Sequence, residues 1–126
     1  MTIVAVAGDA CTTTAIALAS AWPASDDIVL VEADPSGGDL AAWFDMPVTP
    51  SLSTVVTRVL DGAWPDVERL TRLADSGLRL IPAPARAGEA GQAVAESART
   101  LVPTLAALRS PITIVDTGRF RPSAAP

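Results

Sequence analysis

The stretch Gly8-Asp9-Ala10-Cys11-Thr12-Thr13-Thr14 sets a tight-turn glycine, the chain's single cysteine and three hydroxyls side by side. It lies between an apolar run, Ile3–Ala7, and a helical pattern over residues 12–21. A strand, a tight turn and a Thr-rich helix start together form a seat for an anion. Amide N–H groups at a helix N-terminus point outward, and the helix dipole favours negative charge there. Thr hydroxyls at such a place can ligate Mg²⁺ or bond a phosphate oxygen. The plainer reading is a βα turn kept for packing, with Thr12 and Thr13 capping the helix. Cys11 likewise has two readings: a thiol activated by the helix N-terminus, or a small buried apolar residue.

Carboxylates gather at the ends of other apolar runs. Glu32 and Asp34 follow Ile28–Val31, and Asp116 follows Ile112–Val115. Acids that end a buried strand are costly without a purpose. Asp116 can also be read as an acceptor for N–H groups of a first helical turn. Together with Asp9, these acids are expected at one sheet edge, where mutual repulsion should raise at least one pKa. Pro35-Ser36-Gly37-Gly38-Asp39 reads as a bend at the same edge. The chain has no Lys and no His, and its nine cations are all Arg. This excludes a His base, a His metal ligand and a Lys nucleophile. Arg86 and Arg119 are the cations placed to approach the site.

The elements that position these residues follow from periodicity. Ile3–Ala7, Ile28–Val31, Leu78–Ile81 and Ile112–Val115 are near-continuous apolar runs. Such runs read as strands covered on both faces, hence a parallel sheet. Between them the spacing predicts helices over 12–21, over Leu52–Leu60 with Ser51 as N-cap, and from Pro65 through Leu73. A helix over 88–109 carries Val94, Ala98, Leu101, Leu105 and Leu108 on one stripe, kinked by Pro103. The order β-α-β-α-α-β-α-β predicts an α/β fold with helices on both faces of a parallel sheet. Trp22 and Trp64 read as helix-end packing; Trp43 with Phe44 reads as core or, alternatively, as an exposed patch for a partner, with core favoured. Pro82-Ala83-Pro84-Ala85-Arg86 is a rigid turn without assigned chemistry.

The length, 126 residues, suits one domain, and 49% apolar content is ample for a core. A net charge of −5 gives no electrostatic reason to bind nucleic acid. One cysteine excludes an internal disulfide and a thiolate cluster. The first residues read as a strand, not a signal peptide. No apolar run approaches the roughly 20 residues that span a bilayer. Cytoplasmic localisation is the expectation.

Three motifs, in order, carry a resemblance. Thr2–Ala19 (TIVAVAGDACTTTAIALA) resembles the opening of ParA/MinD-type P-loop ATPases, with their deviant Walker A loop, KGGxGK[ST]T. Ile28–Asp39 (IVLVEADPSGGD) is similar to the family strand ending in D-x-D-P. Ile112–Arg119 (ITIVDTGR) resembles its Walker B strand. The resemblance implies a P-loop NTPase-like fold cut off after the Walker B strand, with residues 1–118 as the domain and 119–126 as tail or loop.

It also implies ATP and Mg²⁺ as cofactors. Gly8, Asp9, Ala10, Cys11, Thr12, Thr13 and Thr14 would hold phosphate, Thr12 and Asp116 the metal. Glu32 takes the place of the acid that helps position the attacking water, and Asp34 the place of the second acid of D-x-D-P; both are the candidate catalytic residues. The loop departs from the pattern: Cys11 stands where the P-loop lysine belongs, Ala10 where the glycine before it belongs, and the loop is about three residues short. Removing a cationic clamp costs orders of magnitude in phosphoryl transfer. The expectation is therefore a degenerate member acting as a positioning or partition-type scaffold, with weak or no ATP hydrolysis. Two alternatives remain, a nucleotide-dependent dimerising ATPase switch and a regulatory module for a secretion- or pilus-type partner. Family members continue beyond the Walker B strand, so this chain would leave a sheet edge open. Either it is a piece of a longer protein, or the edge serves self-association.

Overall fold

The computed structural model describes residues 3–23, 28–47, 50–60, 71–73, 78–106 and 112–118. Four strands form where the apolar runs lie: β1 (Ile3–Val6), β2 (Ile28–Glu32), β4 (Arg79–Ile81) and β5 (Ile112–Asp116). β3 (Arg72–Leu73) is a two-residue addition. The sheet order is β1-β5-β2-β4-β3, parallel except for β3, which runs antiparallel to β4. The expected helix from Pro65 through Leu73 is corrected at its end, because Thr71 lies in a bend and Arg72 and Leu73 are strand. Residues 65–70, with Trp64, lie outside the described residues.

The helices are α1 (Cys11–Ala21), α2 (Leu40–Trp43), α3 (Leu52–Leu60), α4 (Ala87–Arg99) and α5 (Leu101–Ala106). They cover both faces of the sheet. On one face α1 turns Ala15 and Ala19 against Leu30, Leu80 and Ile114, with Leu40 of α2 beside them. Alanine at that contact brings the helix axis close to the strands. Trp22, at the end of α1, packs on the same cluster as expected. On the other face Leu52, Val55 and Val56 of α3 meet Val29, Val31 and Ile81, together with Ala93 and Leu101. Ser51 precedes α3 as expected, and Thr54 Oγ1 accepts a hydrogen bond from the Ser51 amide at 3.2 Å. That bond is half of a capping box.

The expected helix over 88–109 is two helices that break at Thr100, not one kinked at Pro103. A proline clashes with the carbonyl four residues back and disfavours helical backbone at the residue before it, but is tolerated in a first turn. Starting α5 at Leu101 puts Pro103 in that first turn. The buried stripe also differs: Ala90, Ala93, Ser97 and Leu101 face inward, while Ala98 is exposed. Trp43, expected in the core, is 54% exposed, and only Phe44 of the pair packs on the α1 side.

Candidate functional site

Register brings the chemistry together. Val6, Glu32 and Asp116 lie side by side at the carboxyl ends of β1, β2 and β5. Ligands of parallel α/β sheets bind at that edge. Three backbone bonds close the loops there. Gly8 N–H donates to Gly118 O at 3.2 Å, Thr117 N–H to Val6 O at 2.9 Å, and Ala33 N–H to Asp116 O at 2.7 Å.

Asp116 is fully buried and is the hub. Its Oδ1 accepts from Cys11 Sγ at 3.0 Å and from the Gly118 amide at 3.0 Å. Its Oδ2 accepts from Thr12 Oγ1 at 2.6 Å. The first turn of α1 therefore supplies side-chain donors, a thiol and a hydroxyl. Thr12 thus spends its hydroxyl on Asp116, and α1 has no side-chain cap.

Cys11 is buried, and burial pushes its thiol pKa up, aided by the Asp116 carboxylate that its proton contacts. This is a neutral S–H donor, the opposite of an activated thiolate.

Ala10, at the N-cap of α1, holds φ 57 and ψ 25, the left-handed region that favours glycine. This matches the place where the resembled motif has glycine. The first helical bond runs from Thr14 N–H to Ala10 O at 3.0 Å. The amides of Cys11, Thr12 and Thr13 therefore have no intrahelical acceptor and face the turn. Asp9 in that turn is exposed.

Glu32 is buried, and three backbone amides hold it. Oε2 accepts from Asp39 at 2.9 Å and Leu40 at 3.2 Å, and Oε1 from Ala83 at 3.0 Å. Burial raises its pKa; the three bonds pull it down in part, and the Asp116 charge adds a small rise. One raised carboxyl was expected from repulsion, but desolvation is the leading cause. The Ala83 bond gives a positioning role to the proline-bracketed turn, which carries no signal for it in sequence. Pro84 O also accepts from Gly38, and Pro82 O from Leu52.

Asp34 Oδ1 accepts from the Ser36 amide at 2.9 Å and its hydroxyl at 2.6 Å. The Asp34 carboxylate lies against Gly118, where an added Cβ would come within 2.5 Å of Cγ. Among the described residues no salt bridge reaches Asp9, Glu32, Asp34 or Asp116; the ion pair found is Arg99–Glu96 on α4. Arg86, at the N-cap of α4, is exposed. Arg119 lies outside the described residues.

Comparison with solved structures decides the fold. The chimerical protein CapA2B2 superposes with a TM-score of 0.69 at 17% identity, covering 96% of this chain and 54% of that one. Cobyrinic acid a,c-diamide synthase from Mycobacterium smegmatis, with a bound ATP analog and magnesium, gives 0.61 at 21% identity, covering 94% and 52%. The same enzyme with ADP and magnesium gives 0.61 at 22% identity. The fold is P-loop NTPase-like. The chain spans about half the length of these structures. No family model matches the sequence, and no curated protein matches it.

Within this P-loop-like fold the residues fit the two parts of a magnesium nucleotide unequally. The Thr12 hydroxyl and Asp116 carboxylate form an adjacent oxygen pair suited to a hard divalent cation. Among the described residues no group of three or more acidic, Cys or His side chains could hold a metal unaided. Such a cation would take its remaining ligands from water and phosphate, as Mg²⁺ does. A polyphosphate there would be held by the α1 amides without a lysine ammonium, since the chain has no lysine. No helix among the described residues is long and apolar enough to cross a membrane.

Proposed function

We propose that this chain is a degenerate relative of the ParA/MinD-type partition and positioning ATPases, working as a protein-binding scaffold with weak or no ATP hydrolysis. One observation carries the reading: Cys11, which the resemblance aligns with the P-loop lysine, is a buried thiol that donates to Asp116. A phosphoryl group in flight there would lack the cation that stabilises its charge, and Asp9 adds a carboxylate at the turn. Repulsion between charges about 4 Å apart is on the order of 4 kcal/mol at an effective dielectric of 20.

β1 lies at an edge of the sheet and pairs with β5 alone among the described strands. Its free side is the surface proposed for self-association or for a partner.

Phosphate release by the pure protein in ATP–Mg²⁺ tests the reading. Little or no release above buffer is expected, and brisk turnover abolished by Asp116→Ala would overturn it. The Thr12–Asp116 pair favours a second reading, a nucleotide-dependent switch that retains Mg²⁺. Micromolar, magnesium-dependent ATP binding in a calorimeter would select the switch; silence to millimolar ATP would select the scaffold.

A further inference from the structure

A scaffold needs a contact surface, and α2 supplies one. We propose that the exposed face of α2, centred on Trp43, docks an arginine-bearing segment of a partner protein; this rests on the scaffold reading. Trp43 is 54% exposed, on a helix whose other flank is fixed. Leu40 and Ala41 are buried, and Phe44 packs on the α1 side of the sheet. Glu32 grips the start of α2 through the amides of Asp39 and Leu40. The end is locked by the amides of Asp45 and Met46, which donate to Ala42 O and Ala41 O at 3.2 and 2.8 Å. That is a Schellman motif, with Asp45 at φ 52 where glycine is usual. The indole is thus presented on a rigid platform rather than left on a loose loop.

The chemistry around it selects the partner. Asp39 lies one helical turn before Trp43, hence on the same face, and Ala42 beside them is exposed. Asp45 follows at once. Both acids are exposed, and among the described residues neither carboxylate has a hydrogen-bond or ion-pair partner. Covering them with an apolar surface would strand two charges. A guanidinium satisfies the set: it stacks on the indole and bonds a carboxylate through its planar fork. Charge complementarity agrees, the chain being acidic at −5.

The test titrates tri-arginine amide into the isotope-labelled full chain and follows the Trp43 indole N–H by NMR, assigned by its loss in Trp43→Phe. Tri-lysine and tri-glutamate run alongside. A saturable shift at Trp43 is expected, larger for arginine than lysine and absent for glutamate. Asp39→Asn and Asp45→Asn should each weaken binding roughly two- to fivefold. Neither should unfold α2, since Asp39 makes no side-chain cap and Asn tolerates positive φ. No saturable Trp43 shift, an equal response to glutamate, or indifference to both Asn variants would overturn the proposal. So would a Trp43 shift that follows protein concentration alone, which would mark a self-association face. ATP turnover on the same samples separates the two readings. Turnover with the peptide response intact defeats the scaffold and spares the surface; silence at Trp43 without turnover does the reverse.

Discussion

Glu32 and Gly38 compete for one volume: a Cβ on Gly38 would fall 2.2 Å from Glu32 Oε1 and 2.9 Å from Ala83 O. The glycine is there so that a buried carboxylate can fold its loop over itself. The side chain can shift, but the Ala83 carbonyl is backbone and cannot do so cheaply. Gly38→Ala should therefore destabilise by about 1–3 kcal/mol. Urea unfolding reads this directly; an unchanged midpoint would mean that the loop does not close on Glu32.

Glu32 should also leave a signature in pH. A carboxyl whose folded pKa is raised binds its proton more tightly in the native state. Its contribution to stability is full below its ordinary value of 4.5 and is lost as pH rises through the higher folded value. The stability of the wild type relative to Glu32→Gln should therefore fall as pH increases across that window. Urea midpoints for both proteins at a series of pH values check the sign, and a difference that grows with pH would contradict it.

Thr113 sits fully buried on β5 between Ile3 and Val29, and among the described residues its hydroxyl has no partner. Thr113→Val keeps the branched shape and removes an unsatisfied polar atom. A gain of about 1 kcal/mol is expected from thermal or urea unfolding. A loss would show that the hydroxyl has an acceptor.

Ala10→Gly should relieve the left-handed backbone at the head of α1. The gain, about 1–2 kcal/mol, is partly offset by the extra freedom of unfolded glycine, about 0.5–1 kcal/mol. A net rise of about 0.5 kcal/mol is expected; a net fall would place Ala10 outside the left-handed region in solution.

Cys11 should resist alkylation. At mildly alkaline pH its reaction with iodoacetamide in the native state should be slower by one or two orders of magnitude, roughly, than in urea. Asp116→Asn removes a charge that opposes the thiolate and should narrow the gap. Equal native and unfolded rates would contradict the buried S–H donor.

The parallel strands were legible because each is a near-continuous apolar run, interrupted within β4 by Arg79 and within β5 by Thr113. β3 and α2 were not: two and four residues are too short for any period to show. α2 exists because Glu32 and a Schellman bond pattern hold its two ends, and both are tertiary facts. The expectation of a buried Trp43 followed the general preference of large aromatics for the core, but α2 turns it outward, 54% exposed. The ingredients of the site were visible as three ordered motifs. Its wiring was not: Cys11 and Thr12 meet Asp116 across more than a hundred residues, and no spacing rule reports that. The amides of Asp39 and Leu40 are near Glu32 in sequence, but only the folded loop turns them, and that of Ala83, onto its carboxylate.

The order of the strands has a consequence for synthesis. β5, the last described strand in sequence, inserts between the first two, and no described strand pairs β1 directly with β2. As the chain leaves the ribosome, Ile3–Val6 must wait for Ile112–Asp116 before it gains its neighbour. Closing so distant a contact is slow. Until then Ile3–Val6 is an unsheltered apolar ribbon, a natural client for a chaperone.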